Sequence, residues 1–423
     1  VAEALEAAVV VVGAGPAGLA AAVHAAEAGA SVLLLDAVPR LGGQVWRHRG
    51  SPPRPARRLE ARLSGANARR LFGATVVDAP GEGDLLLEHE GRGQRVRYGR
   101  LVLATGARER FLPFPGWTLP GVLGVGGAQA LVKEGARFDG LRVVAAGTGP
   151  LLLAAAAALR GAGAQVVAVA EQAPLLRLLR FGRALLRRPR RIVEAAGYAA
   201  RLLGTSYRTG RWVRAAEGQG RVEKVTLTDG RRDWTLSCDV VACAFGLVPN
   251  LELGRLLGCA AEGEALLVDE AQRTSVPGVF AAGEVAGVGG TGHAVVTGAL
   301  AGLAAAGRPL PPSLMGERRR ERAFAASLAD AFALRDELRA VARPDTIVCR
   351  CEDVTLGRLL PYSTMQEAKL QTRTGMGPCQ SRVCGPALAF LRGFEADSVR
   401  PPISPVPLSV LAAGNDGSRE EKT

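Results

Sequence analysis

Residues Val9 to Asp36 read VVVVGAGPAGLAAAVHAAEAGASVLLLD: a β-branched apolar run, three glycines, an Ala-rich helix, a second apolar run and a closing carboxylate. That order is one βαβ unit of the dinucleotide-binding kind. Gly13 permits the sharp turn, Gly15 lets a pyrophosphate approach the backbone, and Gly18 lets the helix pack close to the strand. Ala14 and Ala17 are the small residues between them, and Pro16 suits a first helical turn, where no N–H is missed. The helix N-terminus presents its free N–H groups to phosphate. Asp36 stands where a carboxylate accepts from ribose hydroxyls. A lone glycine fingerprint is weak, and the bland alternative is a Gly-rich turn without a ligand. Strand, helix and acid at the right distances make this one specific.

Downstream, Arg40 is placed to meet a phosphate, and Gly43 and Gln44 form a loop that a flat ligand can approach. Ala74 to Ala79 and Asp84 to Tyr98 alternate as strands of a small meander turning at Glu90-Gly91-Arg92-Gly93. Leu101 to Gly106 (LVLATG) is expected as a separate buried strand whose Ala104-Thr105-Gly106 turn returns the chain to the first sheet. Proline and glycine punctuation from Pro113 to Gly127 marks a domain crossing. A second βαβ pattern runs from Leu141 to Glu171 with Gly147 and Gly149 in place but Leu152 at the third glycine position, so an NAD(P) site there is expected to be weak or vacant. Leu175 to Leu203 is basic and partly helical. It suits a membrane surface or a partner, and its plainer reading is a surface helix whose arginines face solvent. Gly278 to Glu284 then forms a strand ending in Gly283 and an acid, before a Gly-rich helix start.

The 423 residues, 48% of them hydrophobic, suit two or three domains. A net charge of +13 comes from arginine, since Lys133, Lys224, Lys369 and Lys422 are the only lysines. Basic patches interleaved with aromatics are missing, so nucleic acid is not expected as a partner. Seven cysteines, an odd number, argue against a secreted disulfide framework. With no secretory signal visible and the most apolar stretch, Leu151 to Ala170, broken by Arg160, Gly161 and Gly163, the cytoplasm is the expected compartment and membrane contact is not called for.

The three glycine-marked motifs in this order resemble the α/β flavoprotein fold with two dinucleotide-binding domains found in glutathione and thioredoxin reductases. The resemblance implies FAD, with the acid of the third motif on the ribityl chain and the next helix pointing its N-terminus at the flavin pyrimidine. Here that acid is Glu284 rather than Asp. The redox cysteine pair of those reductases is missing: Cys238, Cys243 and Cys259 are the only cysteines before the C-terminal region, and Cys238 and Cys243, on or near an apolar strand, read as buried structural thiols. Four further cysteines follow a helical linker, Cys349-Arg350-Cys351 and then Cys379 and Cys384 in a C-x4-C pair. Four thiols ringed by Gly375, Gly377 and Gly385, with Arg350, Arg373 and Arg382 to offset charge, can hold a [2Fe–2S] cluster. A structural zinc and four unconnected thiols are the competing readings.

With CRCEDVT, KLQTRTGMGPCQSRVCGP and the tail RPPISPVPLSVLA, nearly the whole chain resembles the FAD-containing α-type subunits of bacterial heteromeric amine and imino-acid dehydrogenases. These include subunits of hydroxyproline dehydrogenase, opine oxidase and hydrogen cyanide synthase, with a C-terminal domain like bacterioferritin-associated ferredoxin. Ser381 stands where that family usually has glycine. The resemblance implies a β-type partner flavoprotein similar to D-amino-acid oxidase, and a further small ferredoxin-like subunit is compatible with it. The expected division is a split FAD domain (1–112 and 246–312), an inserted nucleotide-type domain (113–245), a helical linker (313–340), a cluster domain (341–400) and a tail (401–423). Rival functions are a stand-alone NAD(P)H-dependent flavoprotein reductase and a non-catalytic iron–sulfur module. His24, His48, His89 and His293 offer no catalytic set.

Overall fold

The computed structural model describes residues 5–186, 188–395 and 399–415. The chain divides into two compact units, 1–108 with 249–325 and 398–423, and 109–248 with 326–397.

In the first unit, β1 (Leu5–Val12) runs into the glycine turn, followed by α1 (Pro16–Glu27), β2 (Val32–Asp36), α2 (Arg54–Ser64), β3 (Ala68–Phe72), β4 (Ala74–Gly81), β5 (Asp84–His89) and β6 (Arg92–Leu103). Their sheet order is β3-β2-β1-β6-β5-β4, and Val279–Ala281 adds a parallel strand on β6. The return strand of the meander and the LVLATG strand, expected as two elements, are a single strand. β6 pairs antiparallel with β5 from Arg92 to Arg97 and parallel with β1 from Val96 to Leu103. Nothing between Tyr98 and Leu101 enforces a turn, and Gly99 passes Ala8 so closely that a Cβ would lie 3.0 Å from its carbonyl oxygen.

One face of this sheet is covered by α1 and by the helix Gly290–Ala305, whose apolar residues form a common core. These two helices touch through backbone: a Cβ at Gly298 would lie 2.1 Å from the Ala17 oxygen, and one at Gly302 2.2 Å from the Ala21 oxygen. Leu19 and Val23 of α1 are fully buried, each such side chain contributing about 1.5–3 kcal/mol relative to exposure.

The second unit holds a five-stranded parallel sheet in the order 206–209, 165–171, 142–147, 240–244, 122–124, with a three-stranded antiparallel sheet from Trp212 to Ser237. The cysteine-bearing segment has a small core of its own around Val348, Leu359 and Leu388. It is nevertheless part of this unit, because Leu338 and Ala387 share a core with Trp117, Val213 and Phe245. The tail belongs with the first unit instead, where Val410 is buried against Val77 and Leu86. Among the described residues no helix is long and apolar enough to cross a membrane.

Candidate cofactor sites

The first site is built on the turn after β1. Gly13 has φ +108°, and a Cβ on it would meet the Ala104 oxygen at 2.2 Å. A Cβ on Gly18 would lie 1.6 Å from the Gly13 oxygen. The Arg40–Gln44 loop closes over this turn: the Gly42 N–H donates to the Ala14 oxygen at 2.8 Å, and Gly43 approaches Gly15 so closely that a Cβ would stand 3.0 Å from its Cα. Gly15 and Gly43 thus leave a side-chain-free slot over the N-terminus of α1. Asp36 accepts from Ala14 N–H at 2.6 Å and Val38 N–H at 2.8 Å, holding its carboxylate against the turn. Arg40 donates to the His48 carbonyl at 2.8 Å. Gln44 is exposed at the loop edge.

Across the slot, Gly283 packs on Ala17, where a Cβ would be 2.7 Å from the alanine methyl. Glu284 accepts from Gly290 N–H at 2.9 Å through one carboxylate oxygen, while the other is buried without a hydrogen-bond partner. Burial raises its pKa, against the lowering effect of the Gly290 and Gly289 N–H groups. A buried acceptor oxygen with open lone pairs calls for a donor such as a sugar-alcohol hydroxyl. His293 is also buried with an unpartnered Nδ1, and burial lowers its pKa.

The second glycine motif is arranged differently. Leu152 is fully buried in the core of its own unit, and Glu171 is 1% exposed. Its carboxylate accepts from Thr148 Oγ1 at 2.8 Å, Gly149 N–H at 2.9 Å and Ala173 N–H at 2.9 Å. Fully buried Gln172 then ties this cluster to the chain after the linker helix, donating to the Ala333 oxygen at 3.0 Å and accepting from Arg335 N–H at 3.2 Å. The group that would receive a ribose in an NAD(P) site is committed to internal donors.

Burial pushes the Glu171 pKa up to about 7 against the lowering pull of its donors. The folded protein therefore holds a proton that the unfolded chain releases near pH 4.5. Stability from this group is largest at the acid end of that window and falls as pH rises from about 4.5 to 7, by about 3 kcal/mol in all. Isotope-edited infrared spectra are expected to show a protonated glutamic acid band at pH 6 that fades by about pH 8 and is missing in Glu171→Gln. A band already lost at pH 5 contradicts the assignment.

The four C-terminal cysteines come together as two thiol pairs. Cys349, on the strand Ile347–Cys349, faces Cys384 at the start of the helix Cys384–Arg392, and Cys351 faces Cys379. The Cys384 contact and the Gly375 N–H, against the raising effect of burial, hold the Cys349 thiol below the usual range, while the same contact and burial push Cys384 up. Gly375 N–H points at Cys349 Sγ at 3.5 Å. Gly377 lies against Cys351, where a Cβ would come within 2.3 Å of the cysteine Cβ. Among the described residues no three or more His, Cys, Asp or Glu side chains converge as a metal-holding group. Protonated thiols hydrogen-bond in pairs, whereas four thiolates repel one another unless a cation lies between them. The donor chemistry and glycine lining fit a tetrathiolate centre.

Residues 7–305 match the family model for pyridine nucleotide-disulphide oxidoreductases. The chain is 32% identical to hydrogen cyanide synthase subunit HcnB of Pseudomonas protegens, over 95% of this chain and 97% of the relative. It is 33% identical to an opine oxidase subunit of Rhizobium meliloti, over 95% and 98%. The chain belongs to the pyridine nucleotide-disulphide oxidoreductase family. Among solved structures it is similar to L-proline dehydrogenase from P. horikoshii, with a TM-score of 0.71 at 20% identity, covering 97% of this chain and 80% of that one. Thioredoxin reductase from T. acidophilum gives a TM-score of 0.56 at 23% identity, over 71% and 98%.

As a pyridine nucleotide-disulphide oxidoreductase the chain is an FAD-dependent oxidoreductase with the mixed α/β fold of two dinucleotide-binding domains. Within the first unit of this family member, Gly13, Ala14, Gly15, Pro16, Ala17, Gly18, Asp36, Gly43, Gly283 and Glu284 line or brace one slot. Ala104 backs it, and the Thr105-Gly106 turn is held by a residue that sequence reasoning passed over. Asn250 donates to the Thr105 oxygen and its own carbonyl accepts from Thr105 Oγ1, both at 2.8 Å. No local signal marks it, since Pro249 ends the strand Leu247–Pro249 and Asn250 lies 145 residues from Thr105 in the chain. Cys238 and Cys243 are buried thiols, as expected, Cys259 is buried as well, and burial raises the pKa of each.

Proposed function

We propose that this protein is the electron-transferring FAD and [2Fe–2S] subunit of a heteromeric amino- or imino-acid dehydrogenase. Substrate oxidation then belongs to a partner flavoprotein similar to D-amino-acid oxidase, and this chain passes the electrons to an acceptor in the cytoplasm. The observation that carries the reading is likeness over 95% of the chain to two proteins that are themselves named as subunits, one of a hydrogen cyanide synthase and one of an opine oxidase.

In this reading the Gly13–Gly18 turn and the N-terminus of α1 bind the FAD pyrophosphate, Asp36 takes the adenosine ribose, and the open oxygen of Glu284 takes a ribityl hydroxyl. The helix that starts at Gly290 aims its N-terminal dipole at the flavin pyrimidine. FAD supplies acceptance of electrons in pairs and their release singly. Cys349, Cys351, Cys379 and Cys384 hold the cluster, with the Gly375 N–H toward a sulfur. The second fold, with Glu171 enclosed, takes no NAD(P).

Anaerobic spectroscopy tests the division of labour. The isolated chain is expected to stay oxidised with hydroxyproline, glycine or an opine, and to be reduced by one of them once the partner flavoprotein is present. Rapid bleaching of the isolated, homogeneous chain by an amino acid would place the oxidation site on this chain and end the relay reading. Bleaching by NADH alone would favour a self-sufficient reductase.

A further inference from the structure

A helix on the surface of a water-soluble domain turns its apolar stripe inward and its charges outward. The hairpin of Leu175–Leu185 and Pro189–Arg201 instead turns large aliphatic side chains outward together with its charges. On the first helix Leu175, Leu176, Leu179 and the flanking Leu186 are 57, 60, 61 and 73% exposed, and the spacing of residues 175, 179 and 186 puts them on one stripe. Exposed Arg180 and Arg183 lie beside it. The second helix repeats the plan: Val193 and Leu203 are 72 and 73% exposed, Ile192, Ala196 and Ala200 share that side, and Arg190 and Arg201 stand at its rim. What holds the hairpin down is modest, mainly buried Phe181, edge-on to Phe332 at 5.3 Å, and buried Leu202. The arginines face solvent, as expected of a surface helix, but large aliphatic side chains share that exposed surface with them.

We propose that this hairpin is a docking element for an anionic lipid surface. Between Gln172 and Thr205 the sequence holds eight arginines and a single acid, Glu194. An outward aliphatic stripe bordered by guanidinium groups matches the headgroup boundary of a bilayer, where acyl chains and phosphates are met at one depth. The core of a protein interface would instead favour large aromatics, and no aromatic lies on either exposed stripe. Since no described helix is long enough to span, the contact is interfacial. Such docking is independent of which substrate the complex oxidises.

Vesicle flotation of the full chain, with its flavin bound, tests it. Binding to vesicles containing phosphatidylglycerol is expected to exceed binding to pure phosphatidylcholine by at least about tenfold, each guanidinium near an anionic surface adding a factor of about five. Combined Leu176→Ser, Leu179→Ser and Leu186→Ser substitutions are expected to lower binding about tenfold or more. Arg180→Glu with Arg183→Glu should remove the preference for anionic lipid. These positions are exposed, so flavin content and near-ultraviolet circular dichroism should not change. Equal binding to both vesicle types, or full binding by the leucine variant, overturns the proposal. So does a leucine variant that keeps lipid binding but loses its partner flavoprotein or its self-association, which assigns the stripe to protein.

Discussion

A Gly18→Val protein is expected to purify without FAD and with its first unit unfolded or aggregated. The position has no room: a Cβ would stand 1.6 Å from the Gly13 oxygen and 3.3 Å from the Ala104 methyl. Neither neighbour can yield, since Gly13 is itself wedged against Ala104 and its N–H donates to the Leu35 oxygen at 2.8 Å, tying the turn to β2. Overpacking a filled core costs about 1–3 kcal/mol when side chains can adjust, and here the obstacle is backbone. Gly50→Ala, at an open position, is the control and should match the parent. Flavin absorbance per chain and thermal unfolding report the result, and a Gly18→Val protein with stoichiometric FAD would show that the flavin is held elsewhere than in this slot.

The second large effect concerns the thiols. Changing any one of Cys349, Cys351, Cys379 or Cys384 to serine is expected to lower bound iron and sulfide by more than about tenfold, since disturbing even an outer-shell partner of a metal site costs that much. FAD content should stay at the parent level, because the cysteines belong to the second unit and the glycine slot to the first. Iron and sulfide analysis with EPR of the dithionite-reduced protein measures it. Full zinc with no iron in anaerobically prepared parent protein would replace the cluster with a structural zinc centre.

Local chemistry explains which parts of this molecule are legible from sequence. The slot around Gly13 and Gly18 can be read because each glycine answers a steric demand from residues a few positions away, and Leu152 stands out for the same reason. Three other features depend on distant chain. Asn250 braces Thr105 across a gap that no spacing rule spans. Glu171 looks like any strand-end acid until Gln172 is seen to join it to Ala333 and Arg335. The hairpin from Leu175 has an amphipathic period that a sequence reveals, but which side faces outward is decided by what packs beneath Phe181 and Leu202. Periodicity is unchanged by turning a helix over.

The contact of Gly298 and Gly302 with Ala17 and Ala21, and the place of Val279–Ala281 on β6, also set an order of events during synthesis. The nucleotide turn emerges first from the ribosome, but the strand and helix that complete its sheet and cover α1 are encoded beyond residue 278. At about 5–20 residues per second, α1 waits many seconds with its apolar side uncovered while residues 104–278 are made, among them the whole core of the second sheet. The second unit's nucleotide-type fold, whose strands and helix from Val122 to Ala244 are contiguous in sequence, is therefore in a position to form before the first is finished. A nascent chain stopped short of the Gly290–Ala305 helix has the fingerprint for FAD and no closed sheet to hold it.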